Sequence, residues 1–228
     1  MRKILKSLAS VFLVPLTRWY LRKERKYTYR DTVISVLPGV FHPGMFSSTN
    51  FILDYLEKQV LANQTLLEVG SGTGLISVRA AKAQAKATAI DISKIAIENT
   101  TLNAKSNDVE VDIVHTDLFD NLEKHSFDWI IINPPYYARD PKNERDLAWY
   151  CGENFEYFKK LFKGLRGVAH PRSHIIMVLT KDCDLHKIFS LGKEEGFVFE
   201  LLEEKDAFFD EKDFLFQIRS SASDKVLA

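Results

Sequence analysis

The segment Leu66-Leu67-Glu68-Val69-Gly70-Ser71-Gly72-Thr73-Gly74-Leu75-Ile76 constrains the fold of this chain more than any other. An apolar strand runs into glycines at 70, 72 and 74, and Leu75, Ile76 and Val78 then begin the buried face of a helix. Glycines at alternate positions let the backbone turn sharply and let a ligand approach where any Cβ would block it. The spacing separates cofactors. A dinucleotide fingerprint requires its third glycine three residues after the second, and that place, position 75, is Leu. NAD is disfavoured, and the pattern fits a smaller nucleoside cofactor without a pyrophosphate.

A second strand over 87–90 ends in Asp91, 21 residues beyond Gly70, where a carboxylate accepts hydrogen bonds from ribose hydroxyls. Further on, the apolar run Trp129-Ile130-Ile131-Ile132 stops at Asn133-Pro134-Pro135-Tyr136. Two prolines cannot continue a strand or donate ladder hydrogen bonds, so an amide and an aromatic ring are displayed at the strand's carboxyl end. In open α/β sheets that edge is where ligands bind.

In these motifs the chain resembles the class I S-adenosylmethionine-dependent methyltransferases of the small-domain, Asn-Pro-Pro-Tyr type. Within them it is most similar to release-factor glutamine methyltransferases and ribosomal-RNA guanine N2 methyltransferases. The similarity covers roughly residues 40–219 and keeps the family's motif order. It implies a Rossmann-like seven-stranded sheet, mostly parallel, with a C-terminal antiparallel hairpin, and S-adenosyl-L-methionine as cofactor. By position, Glu68, Gly70, Ser71, Gly72 and Gly74 would cradle the methionine part. Asp91 and Ile92 would hold the ribose, Asp117 and Leu118 the adenine, and Asn133, Pro134, Pro135 and Tyr136 the target nitrogen, with Asn133 also beside the cofactor.

The turn has a physical reading of its own. A planar amide or aromatic amine is a poor nucleophile because its lone pair is delocalised. The Asn133 side-chain oxygen and the Pro134 carbonyl can accept both N–H bonds of an NH₂ group and turn its lone pair toward a methyl donor. Tyr136 is expected to stack on the target plane, and no general base is required before transfer. Each motif alone has a local explanation, since Asn and Pro favour turns and glycine-rich loops are common. Asp117, which follows the strand pattern of 111–114, could equally cap the next turn. Specificity comes from the joint occurrence, each motif at the end of an apolar strand.

The 228 residues, 46% hydrophobic, suffice for one domain with a full core, expected over 31–228. Basic and acidic residues balance at 31 each, but residues 1–30 hold nine basic residues against Glu24, a net +8, leaving −8 for the remainder. An acidic body argues against broad, unassisted nucleic-acid binding. In the basic amphipathic arm, 1–30, Leu5, Leu8 and Phe12 recur at helical spacing until Pro15. Only eleven uncharged residues separate Lys6 from Arg18, too few for a spanning helix, and no small-residue cleavage pattern follows. Three readings stay open for the arm: a helix docked on the body, a peripheral membrane helix with Trp19 and Tyr20 at headgroup level, or an RNA contact. It does not replace the helical amino-terminal domain with which bacterial release-factor enzymes grip their substrate.

Ser48 or Thr49 is expected to cap a helix through Phe51, Leu53, Leu56 and Val60, Ser93 to cap another, and a third strand to run over 109–114. A helix follows from Phe155, then a strand over 175–179, a helix near 185–193, and strands over 197–201 and 214–218 that form the terminal hairpin. Residues 38–46 and 137–154, the latter with Arg139, Lys142, Arg145, Trp149 and Tyr150, are expected to shape the substrate pocket. Cys151 and Cys183 have no metal-ligand pattern and suggest a reducing cytoplasm, and no histidine has zinc or triad spacing. No metal is expected. The expected activity is N-methylation of a planar amide or exocyclic amino nitrogen, first a protein glutamine side chain. The alternatives are an RNA or DNA base amine, which would need an unpaired or extruded base, and a small-molecule amide reached at a membrane.

Overall fold

A computed structural model describes residues 21–123, 126–206 and 212–221. The expected helix of Leu5, Leu8 and Phe12, with Trp19 and Tyr20, lies outside the described residues. Among the described residues, no helix is long and apolar enough to cross a membrane.

The chain begins with an antiparallel hairpin, β1 (Arg25–Tyr29) and β2 (Thr32–Val36). It continues through α1 (Ser47–Leu56), β3 (Thr65–Val69), α2 (Leu75–Lys82), β4 (Lys86–Asp91), α3 (Lys94–Ser106), β5 (Asp112–His115) and β6 (Phe127–Ile132). A 3₁₀ turn over Glu144–Ala148 precedes α4 (Glu156–Leu165), β7 (Ala169–Thr180), α5 (Leu185–Glu194), β8 (Phe197–Asp206) and β9 (Lys212–Ser220). The main sheet has seven strands in the order β5-β4-β3-β6-β7-β9-β8. The first five are parallel, whereas β9 pairs antiparallel with both β7 and β8, the terminal hairpin expected from the sequence.

Strand order reverses between β3 and β6, because β4 and β5 lie to one side of β3 and β6 to the other. Such a switch point opens a crevice at the strands' carboxyl ends. The Gly70 and Asn133 turns leave the sheet side by side there, as Val69 is in register with Ile132.

The apolar run of β6 is continuous because both faces of the sheet are covered. Leu67, Ile130 and Ile132 pack against α4 and α5 through Phe158, Phe162 and Ile188. Leu66, Trp129 and Ile131 face the other way, toward α1, α2 and the hairpin through Ile52, Ile76 and Ile34.

Two sequence expectations shift. Helix α1 starts at Ser47 after Phe46, with no side-chain cap, so Ser48 and Thr49 lie inside its first turn, and it ends at Leu56 rather than Val60, where the Lys58 and Gln59 N–H groups bond three residues back and leave the helix. The third strand starts at Asp112 rather than 109, because the Val109 N–H bonds back to the Ala104 carbonyl and the intervening residues are used in leaving α3.

The hairpin, half of which falls in residues assigned to the arm, is held by a ladder of asparagines on α3. Asn103 Oδ1 accepts from the Ser35 N–H at 2.8 Å, and its Nδ2 donates to the carbonyls of Ser35 at 2.8 Å and Thr73 at 2.9 Å. Asn99 Oδ1 accepts from the Leu37 N–H at 2.9 Å, and Asn107 Nδ2 donates to the Val33 carbonyl at 2.9 Å. One turn apart on the helix, these amides present donors and acceptors to β2 as a neighbouring strand would.

Candidate functional site

A cavity of about 390 Å³ occupies the crevice, a size suited to a small ligand. Gly70, Gly72, Asp91, Ile92, Asp117, Leu118, Asn133 and Pro135 line it. Glu68, Ser71, Gly74, Pro134 and Tyr136 stand behind its surface.

Each glycine of the turn has a different task. All three have positive φ: 76° at Gly70, 52° at Gly72 and 70° at Gly74. A Cβ at Gly70 would meet nothing within 4 Å, because the position faces open space at the cavity wall. A Cβ at Gly74 would lie 2.5 Å from Thr100 Cγ2, so this glycine lets α2 approach α3. Ser71 points the same way, with its Oγ 3.0 Å from Thr100 Oγ1.

Glu68 is buried beneath the turn, where its carboxylate accepts from the Ser77 N–H at 2.9 Å and from the Ser77 hydroxyl. Burial pushes its carboxyl up to about 8, against the opposing pull of these two donors. Its role in this geometry is to tie β3 to the first turn of α2.

Asp91 ends β4 with both oxygens engaged by backbone donors, Gly72 N–H to Oδ2 and Ser93 N–H to Oδ1, each at 2.9 Å. Burial raises its carboxyl from the usual range while these donors pull it back. The carboxylate thus fixes the turn and keeps lone pairs for a ligand hydroxyl. Leu118 is buried at the far end with φ 52°, and exposed Asp117 is bridged to Asp120 by Lys160 Nζ at 2.6 Å from each.

At the other end Asn133 is held on both sides. Its Nδ2 lies 3.3 Å from Ser48 Oγ and 3.3 Å from Thr49 Oγ1, and its Oδ1 accepts from the Tyr136 hydroxyl at 2.6 Å. The serine and threonine expected as helix caps therefore hold the Asn133 amide instead. Burial pushes the Tyr136 hydroxyl far above its ordinary range, so it is a permanent donor. Its ring, half-buried, packs against the core beneath the turn.

Residues 137–154 fold over the cavity. The Tyr137 N–H donates to the Trp149 carbonyl at 2.9 Å, and the Cys151 N–H to the Tyr137 carbonyl at 2.9 Å. Glu144 Oε1 accepts from Ser93 Oγ at 2.9 Å and from the Lys94 N–H at 2.7 Å, fastening the segment to the start of α3. Cys151 lines the cavity, but burial pushes its thiol up to about 11, which keeps it out of thiolate chemistry. Among the described residues no cluster of His, Cys, Asp and Glu could hold a metal. Sequence reasoning passed over Glu144, Thr100 and Lys160, whose partners lie 51, 29 and 43 residues away.

A family model, the methyltransferase small domain, matches residues 31–150, over half of the chain and including both turns. The chain belongs to the methyltransferase small-domain family. A provisionally named protein N5-glutamine methyltransferase of Methanocaldococcus jannaschii is 38% identical over 97 residues, 42% of this chain and 49% of that protein. Ribosomal RNA small subunit methyltransferase C of Buchnera aphidicola is 26% identical over 166 residues, 72% of this chain and 47% of that protein. The chain thus spans about half the length of the curated relatives it matches. A 16S rRNA N2 guanine methyltransferase of T. thermophilus, solved with AdoMet and guanosine, shares the fold at TM-score 0.64 and 18% identity, covering 86% of this chain and 51% of that one. In this small-domain methyltransferase, the glycine turn and the Asn133 turn meet at one crevice and line a single cavity.

Proposed function

We propose that this protein transfers a methyl group from S-adenosyl-L-methionine to a planar NH₂ nitrogen, with a protein glutamine side chain as the acceptor. The observation that carries the proposal is Asn133, which lines the same cavity as Gly70 and Asp91 and is oriented by Ser48, Thr49 and Tyr136. The cradle suits the cofactor: open space at the Gly70 Cβ position, a carboxylate at Asp91 for ribose hydroxyls, and buried Leu118 for an adenine face.

When bound, S-adenosyl-L-methionine supplies an electrophilic methyl on a sulfonium. This chain's residues supply orientation. With one lone pair of Asn133 Oδ1 taken by the Tyr136 hydroxyl, the second is left to accept an acceptor N–H, and the Pro134 carbonyl can take the other. Both acceptors grow stronger partners as positive charge develops on nitrogen. The nitrogen forms the new N–C bond while the S–C bond breaks with its pair to sulfur. The methylated nitrogen then releases its extra proton to water, so no side-chain base is required.

The glutamine reading is supported by the Methanocaldococcus relative and by the net charge of −8 over residues 31–228. A second reading, an exocyclic amine of an unpaired nucleobase, is favoured by the ribosomal-RNA relative that matches 72% of this chain. The arm, 1–30, would then add a basic contact to RNA or to an anionic membrane surface, in a cytoplasmic setting.

Labelled cofactor incubated with fractionated lysate tests the reading. Label dependent on intact Asn133, stable to nuclease and lost with protease supports it. Equal label with Asn133→Ala removes the role of Asn133, and nuclease-sensitive label decides for the nucleobase.

A further inference from the structure

Tyr136 bonds Asn133 through its hydroxyl, and three further rings stand around the same turn. Phe41 and Phe46 stack at 4.8 Å between centroids with 28° between planes, and Trp149 closes the group at 5.3 Å from Phe41 and 5.0 Å from Phe46. Phe41 lines the cavity with Asn133. Phe46 stands two residues before Ser48, which bonds Asn133, a chain distance of at most about 7 Å. Trp149 is tied through its carbonyl to the N–H of Tyr137, the residue after the catalytic turn. The trio is therefore anchored to the acceptor site from both sides.

Within the trio Phe41 and Trp149 are half-buried and Phe46 is exposed. Phe46 is 40% and Tyr137 44% exposed, and these are the aromatic members among the exposed large apolar side chains of the described residues. Both sit on this rim. Aromatic surface left in water beside a reaction site marks a place where a partner group is desolvated.

The geometry points to a subsite in which Phe41, Phe46 and Trp149 receive an aromatic or bulky aliphatic side chain flanking the acceptor glutamine in a polypeptide. This assignment rests on the glutamine reading above. A polypeptide is favoured over a polynucleotide by charge: residues 31–228 carry −8, Lys160 is committed to Asp117 and Asp120, and Arg139 lies over the Tyr150 ring at 6.0 Å. An apolar side chain needs no counter-charge and gains by leaving water.

The test uses the full chain, labelled S-adenosyl-L-methionine and peptides identical except for Phe, Leu or Asp at each position flanking one glutamine. The native protein is expected to prefer Phe or Leu at one flank by about tenfold or more in kcat/KM, mainly through KM. Phe46→Ala and Trp149→Ala are expected to erase that preference, and Phe46→Leu to retain most of it, with cofactor affinity by calorimetry certifying the fold of each. Methylation without flank preference, or a preference that survives both alanine variants, overturns the subsite and leaves the glutamine reading standing. Methylation of an unpaired oligoribonucleotide with none of the peptides overturns both.

Discussion

The Tyr136 hydroxyl donates to Asn133 Oδ1 at 2.6 Å, so the aromatic residue that closes the turn fixes which way the amide at its start faces. A loop asparagine free to rotate would offer its oxygen and its NH₂ to the acceptor in turn. Ser48 and Thr49 on the nitrogen and Tyr136 on the oxygen remove that freedom, the preorganisation that the proposed transfer to a planar NH₂ nitrogen would need.

Tyr136→Phe keeps the ring and removes this bond. With one hydrogen bond worth about 1 kcal/mol, kcat is expected to fall about fivefold or somewhat more. Cofactor affinity should be unchanged. Steady-state methyl transfer and calorimetry separate the two; an unchanged kcat would show that the hydroxyl does not orient Asn133.

Gly70→Ala and Gly74→Ala should diverge although both glycines have positive φ. Alanine at 74 meets Thr100 Cγ2 at 2.5 Å, adding a buried clash to left-handed strain, for an expected loss of about 2–4 kcal/mol. Alanine at 70 has open space and should cost only about 1 kcal/mol, while its methyl group weakens cofactor binding about tenfold or more. Denaturant unfolding and cofactor titration of both variants check the contrast.

Glu68 carries a folded-state carboxyl raised from 4.5 to about 8 by burial. Between those values the folded protein holds a proton that the unfolded chain has lost, so this group's contribution makes stability fall as pH rises from about 4.5 to 8. Glu68→Gln preserves an acceptor for the Ser77 N–H and removes the titration. The variant's Tm is expected to gain on the native protein's steadily across that window and to exceed it at pH 8. Parallel Tm profiles would refute the assignment.

Asn103 is fully buried and makes three hydrogen bonds joining β2, α3 and the glycine turn. Asn103→Ala strands the Ser35 N–H and the Thr73 carbonyl, while Asn99 Nδ2 still donates to the Ser35 carbonyl at 2.8 Å, for an expected cost of about 2–4 kcal/mol. Asn107→Ala, at an exposed bond, should cost under about 1 kcal/mol by the same measurement of denaturant midpoint.

Local pattern carried the main elements. Apolar strands ending in Gly70, Asp91 and Asn133 could be read because period, glycine spacing and the two prolines act within a few residues of chain. Ser93 likewise caps α3 as expected, accepting from the Ala96 N–H at 3.4 Å. The hairpin over 25–36 escaped, since its partner is an asparagine ladder more than 60 residues away and its strands are only five residues each.

Residue order was enough for a sheet with helices on both faces, for the cofactor class implied by Gly70, Gly72 and Gly74, and for a strand end that stops at Asn133. Those follow from backbone sterics and short-range periodicity. Tertiary structure alone decided which of these residues face the cavity. Glu68, Ser71 and Gly74 turn inward to hold helices, Ser48 and Thr49 leave capping for Asn133, and the Tyr136 hydroxyl reaches back to the same amide. Side-chain direction at a switch point is set by neighbours brought together from distant parts of the chain, and no local pattern encodes them.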